Sequence, residues 1–248
     1  MSAKTIDQVI QQLDDIIGRT KRDKSRLGYF AALYRKVTIK VKAGISEDFF
    51  EDGERMERLD VIFANRYLEA FEQNQKNISP TRSWRLAFEI AKCWWPIVLQ
   101  HLLLGMNAHI NLDLGIAAAR TSPGETIYWL KNDFDKINEI LAALVDEVES
   151  ELARIWPVLG LLDHTAGKTD EAVINFNMQN ARDHAWKVAE KLAPLEPAAQ
   201  LPVINELDAE IALFGRVIRH PGFIVGAVNK IIRLGERGSI PQIIELLS

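Results

Sequence analysis

Residues 100–115 read Gln-His-Leu-Leu-Leu-Gly-Met-Asn-Ala-His-Ile-Asn-Leu-Asp-Leu-Gly, and the interpretation of this stretch decides the architecture. It overlaps the most apolar part of the chain, Cys93 to Met106. Pro96, Gln100 and His101 interrupt that part, which is too short and too polar to span a bilayer. A helix from about Ile97 to Arg120 therefore belongs near the centre of a bundle, where each polar side chain needs a partner. Pro96 kinks or ends the helix that precedes it.

Working outward, helical periodicity dominates in both directions. Ile6, Val9, Ile10, Leu13, Ile16 and Ile17 form one apolar stripe, which Gly18 is expected to close. Leu27 to Lys42 repeats the pattern; the alternation Val37-Thr-Ile-Lys-Val41 is isolated and reads as a helix end. Ser46 to Phe50 is expected to be a short serine-capped helix and Glu54 to Asn77 a long one. Ser79-Pro80 opens the helix carrying Trp84, Phe88 and Trp95, and Ser122-Pro-Gly-Glu125 has capping-box spacing. Further helices are expected over Thr126 to Lys131, Phe134 to Trp156, Asp170 to Ala193, Val203 to Arg219, Phe223 to Arg233 and Ile240 to Leu247. Breaks fall at Pro157, Gly167, Pro194 to Pro202, Pro221-Gly222 and Gly235 to Gly238. The fold class expected is all-α: one multi-helix bundle over residues 1–248 with a central kinked helix. Residues 195–248 are an appendage packed on it, or a dimerisation element.

The composition of the 248 residues, 48% hydrophobic and 26% charged, permits a sizeable core without metals or disulfides. The net charge of −4 gives no footprint for nucleic acid. Arg216, Arg219, Lys230, Arg233 and Arg237 form a local basic patch, read as a solvated helix face. The single cysteine, Cys93, lies in an apolar stretch and is expected to be a buried, inert thiol. The N-terminus carries no apolar leader segment, so a cytoplasmic location without a membrane partner is the expectation.

The candidate chemistry lies in the central stretch. His109 and Asp113 are four apart and share a helix face, so an imidazole and a carboxylate can converge on one metal ion. His101 stands eight residues earlier on broadly the same side, with Gly105 leaving a gap between them for a ligand, a water or a neighbouring helix. Asn107 and Asn111 form a second polar ridge. Asp60, flanked by Leu59, Val61 and Ile62, is expected to be partly buried and to need a cation, either Arg66 or a metal. Asp133 and Asp135 read as acidic residues at a helix start. Asp163-His164 and the row Asn177, Asn180, His184 are further candidate ligands.

Two segments, Met56-Glu-Arg-Leu-Asp-Val-Ile-Phe-Ala-Asn-Arg-Tyr-Leu68 and Gln100 to Ile116, resemble the signature stretches of a bacterial helical family known as a domain of unknown function. The resemblance covers Leu27 to Ala193; it implies an all-helical fold and a shared site, and no reaction. His101, Gly105, His109 and Asp113 are also similar to the ligand pattern of the helical zinc-dependent phospholipase C and single-strand nuclease group. That group is secreted, ligates zinc through an N-terminal tryptophan and carries a further His-x-x-x-Glu motif. Here Glu190 stands six residues after His184.

The function expected from these residues is that of a metal-dependent hydrolase or lyase acting on a small molecule in an inter-helical pocket. His109 and Asp113 would ligate Zn, Mn or Fe. His101, Asn107 and Asp60 would complete the catalytic set, and Asn65, Arg66 and Asn111 would bind substrate. The alternative is a non-catalytic small-ligand-binding protein, or a structural protein that forms homo-oligomers.

Overall fold

The long helix predicted around residues 100–115 is present and runs through the middle of the molecule. The computed structural model describes residues 2–155 and 178–248. Trp156, Pro157, Asp163, His164, Gly167 and Asn177, and the predicted helical residues 170–177, lie outside the described residues. All regular structure among the described residues is helical.

The first three helices are α1 (Ile6–Arg22), α2 (Leu27–Ser46) and α3 (Gly53–Gln75). Thr5 caps α1 by accepting the Gln8 N–H at 3.3 Å, and Asp52 caps α3 by accepting that of Arg55 at 2.9 Å. Gly18 does not end α1, which continues to a basic last turn of Arg19, Lys21 and Arg22 that suits the helix dipole. Ser46 closes α2 instead of opening a helix, because Asp48 turns the chain with a φ of 53°.

Next come α4 (Arg82–Ala91), α5 (Val98–Ala108), a π-helical turn (His109–Leu114) and α6 (Gly115–Thr121). The last three form one helix, Val98–Thr121, which is long and apolar enough to cross a membrane and is mostly buried inside the protein. A 3₁₀ helix (Gly124–Leu130) leads into α7 (Lys131–Ile155). The capping box expected at Ser122 does not form, because Gly124 takes a φ of 61° and donates to the Ala193 carbonyl. After residue 178 come α8 (Met178–Leu192), α9 (Pro197–Arg219), α10 (Phe223–Gly235) and α11 (Ile240–Leu247). Pro202 lies inside α9, not in a break before it. Cys93 is half-buried rather than buried.

Two apolar clusters make the core. Val9, Leu13, Phe30, Tyr67, Trp84, Leu102 and Ile244 belong to the first, on α1 to α5 and α11. Met56, Ile116, Phe134, Trp186, Val188 and Leu207 belong to the second, on α3, α6, α7, α8 and α9. The long helix joins them, with Val98, Leu102 and Ala108 in the first and Leu112, Leu114 and Ile116 in the second. Two buried carboxylates fasten distant segments. Asp208 of α9 accepts from the backbone N–H groups of Arg82 and Ser83 at 2.7 and 3.0 Å and so caps α4. Asp133, in the first turn of α7 as the sequence predicts, also accepts from the N–H groups of Glu51 and Asp52 and from Arg55, which ties α7 to α3 across the chain.

Candidate functional site

The π-helical turn sets the site. It fits one more residue into a turn than an α-helix does, a feature frequent at functional sites. Its first residue, His109, and its fifth, Asp113, are both buried and face each other, with Nδ1 3.3 Å from Oδ2. α3 delivers Arg66, whose Nε donates to Asp113 Oδ1 at 2.6 Å. α4 delivers Trp84, whose indole N–H donates to Asp113 Oδ2 at 2.7 Å. Buried indoles seek such an acceptor.

These contacts fix the charge states. Burial alone would push the Asp113 carboxyl up, but Arg66, and then His109 and Trp84, outweigh it and hold the group below its usual range. Burial lowers the His109 imidazole against the opposing pull of Asp113, with Arg66 adding to the lowering. A neutral imidazole beside an ionised carboxylate must donate from Nδ1, which leaves a lone pair on Nε2. That nitrogen is buried and has no hydrogen-bond partner.

An aromatic cage surrounds the imidazole. Phe63 stacks on it with centroids 3.6 Å apart, and Tyr34 meets it edge-on at 4.5 Å. Tyr67 and Trp84 lie at 6.1 and 5.9 Å. The Tyr67 hydroxyl and Asp60 Oδ2 are buried without partners. Burial, and then the Asp60 charge, raises the Tyr34 phenol well above its usual value, against a side-chain hydrogen bond with Thr38. Arg120, at the surface, has its guanidinium lowered by partial burial and by Arg66, opposed by Glu69 and Asp113.

The structure departs from several expectations. His101 does not join His109. Phe30 of α2 fills the gap at Gly105, where a Cβ would come within 2.4 Å of its ring. His101 instead packs edge-on against Tyr29 at 5.7 Å, lowered to about 3 by burial and by Arg26 and Arg233. Asn107 donates to the Ile211 carbonyl at 3.0 Å and accepts from Asn111 at 2.9 Å, so this ridge ties α5 to α9. Asn65 exchanges two hydrogen bonds with the Ala3 backbone and anchors the N-terminus, at the edge of a groove of about 620 Å³ between α1 and α3. Arg66 serves Asp113 and leaves Asp60 without the cation it was expected to need.

Asp60 is raised from 3.8 to about 7, first by burial and then by Glu57. A carboxyl whose folded value lies above its unfolded one stabilises the fold while it stays protonated. Stability from this group is therefore complete below pH 3.8 and falls as the pH rises toward about 7. In thermal melts, Asp60→Asn is expected to match the wild type in acid and to exceed it above neutrality. Equal melting temperatures at all pH values would overturn this.

No three His, Cys, Asp or Glu side chains among the described residues lie together as a metal-holding group. Asp113 presents its two oxygens to Arg66 and Trp84, so the guanidinium stands where a cation facing that carboxylate would stand.

The comparisons with known proteins place the chain. The model of a family of unknown function (DUF5995) matches residues 6–221, and the chain belongs to that family. No curated protein and no solved structure matches it. The likeness to the zinc-dependent phospholipase C group therefore has no support.

Proposed function

We propose that this member of the family binds a small polar molecule beside the π-helical turn and acts on it by proton transfer, as a hydrolase or lyase with His109 Nε2 as the base. The observation that carries the reading is a group of three buried polar atoms without partners: His109 Nε2, Tyr67 Oη and Asp60 Oδ2. Each such atom costs about 1–3 kcal/mol in a folded protein, and native cores hold few of them. A polar ligand would satisfy them together. Asp113 fixes the imidazole tautomer and orientation while Arg66 and Trp84 hold Asp113. His109 then takes a proton from substrate or from a substrate-activated water. Asp60, raised to about 7, is suited to return a proton near neutrality.

The metal-dependent form of this chemistry, with Zn, Mn or Fe, requires Arg66 to release Asp113 first. Metal analysis of protein purified without chelator tests it: a stoichiometric ion lost in His109→Ala supports that form. A non-catalytic reading has one observation in its favour, the Phe63 ring lying flat against the imidazole.

Imidazole NMR separates these readings. The proposal expects a neutral ring protonated at Nδ1 across neutral pH, and a shift of its resonances by at least one member of a panel of small carboxylates, amides and phosphate esters. A charged ring, or one that no member perturbs, would defeat the proposal. Stability offers a second test. Tyr67→Phe removes a hydroxyl held for ligand and is expected to raise the unfolding free energy by up to about 1 kcal/mol. A loss in this variant would mean that the hydroxyl is structural.

A further inference from the structure

The basic patch named in the sequence analysis has an apolar companion that the site does not use. On α10, Phe223, Ala227, Ile231 and Leu234 recur at intervals of four, four and three, which puts them on one face of the helix. That face points outward: Phe223 is 92% exposed, Leu234 72% and Ile231 66%. The opposite face, with Val228, Asn229 and Ile232, holds the helix to the body. Beside the stripe lie Trp94 and Trp95, each about half exposed, from the turn between α4 and α5. Arg233 donates to the Trp94 carbonyl at 2.6 Å and covers its ring at 4.6 Å, and Lys230 lies 5.8 Å from the Trp95 ring. Two indoles and the α10 stripe thus form one surface.

The charge on this surface opposes that of the whole protein. The chain carries −4, yet residues 216–237 hold Arg216, Arg219, Lys230, Arg233 and Arg237 against one acidic residue, Glu236. Glu236 is consumed by Arg233 and by the Val98 N–H. We infer that α10 and the Trp94–Trp95 turn form a docking surface for an anionic lipid bilayer, with the stripe and indoles entering the interface and Lys230 and Arg237 meeting the headgroups. An apolar face flanked by basic side chains and tryptophan is the chemistry of helices that lie in the interfacial plane. A second copy of the chain is the less suitable occupant, because two-fold pairing would oppose Lys230 and Arg237 to like charges. The expectation of no membrane partner considers leader and spanning segments; a surface that lies on a bilayer needs neither.

The full chain is tested by flotation with vesicles of phosphatidylcholine containing phosphatidylglycerol, and with phosphatidylcholine alone. Binding to the anionic vesicles, weakened by salt and accompanied by a blue shift of tryptophan emission, is expected. Lys230→Glu with Arg237→Glu should weaken binding about tenfold or more. Phe223→Ser with Ile231→Ser and Leu234→Ser should abolish it while the melting temperature stays that of the wild type, because these side chains are exposed. Equal recovery with both vesicle types, no binding, or unchanged binding by the triple variant would overturn the inference. So would an apolar-stripe-dependent dimer that ignores vesicles, which would assign the surface to a second copy.

Discussion

Arg66→Ala is expected to lower the unfolding free energy by about 3–5 kcal/mol, because it leaves the Asp113 carboxylate buried without its cation. The carboxylate is fully enclosed, and the guanidinium is only 17% exposed, so solvent cannot replace the lost contact. Trp84 would still donate to it, but a neutral donor does not balance a charge. His109 would respond as well. Without the arginine, the imidazole is drawn toward protonation by the unpaired carboxylate. Chemical denaturation reads the first effect and imidazole NMR the second. Replacing both partners, as Arg66→Met with Asp113→Leu, should recover only part of the stability, because the Trp84 and His109 N–H groups then lose their buried acceptor, and none of the ligand binding. A single variant within about 1 kcal/mol of the wild type would show that the pair behaves as an exposed one.

The second large effect lies at Gly115. A Cβ there would stand 2.6 Å from the Ala185 carbonyl oxygen and 2.7 Å from a Val188 methyl. A backbone oxygen cannot rotate away, so α8 as a whole would have to shift. Gly115→Ala is expected to cost about 3 kcal/mol, at the upper end for overpacking. Gly226 of α10 supplies the contrast, since nothing lies within 4 Å of a Cβ built there. Gly226→Ala should instead gain up to about 1 kcal/mol of helix propensity. Paired thermal melts decide the matter; similar melting temperatures for the two variants would mean that α8 yields freely.

What the sequence made legible was local. The Ile6 to Ile17 stripe marks a helix because burial repeats with the helical turn. The His109–Asp113 pairing could be read for the same reason, since four residues of helix bring the two together whatever surrounds them. The rest of the site comes from afar. Arg66 lies 47 residues from Asp113 and Trp84 lies 29 away. That Arg66 would not take Asp60 follows from spacing, since six residues put the two about 120° apart on one helix; that it would take Asp113 depends on how α3 crosses the long helix, and no spacing carries that. One signal was available: a tryptophan inside an apolar helix must place its N–H somewhere. The Gly105 gap misled for a related reason, because an absent side chain records that something is close without saying what. Asp208 capping α4 from more than a hundred residues away left no trace in the residues around Ser79-Pro80.

The π-helical turn also indexes one half of the molecule to the other. An added residue advances the following helix by about 100°, the angle per residue at 3.6 residues per turn. Upstream, Gly105 meets Phe30 of α2; downstream, Gly115 meets Ala185 of α8. The two apolar clusters are therefore held in rotational phase by a single surplus position. Deleting one residue between His109 and Leu114 would leave both halves intact and turn them out of step, so that a change too small to alter composition would dismantle the shared core.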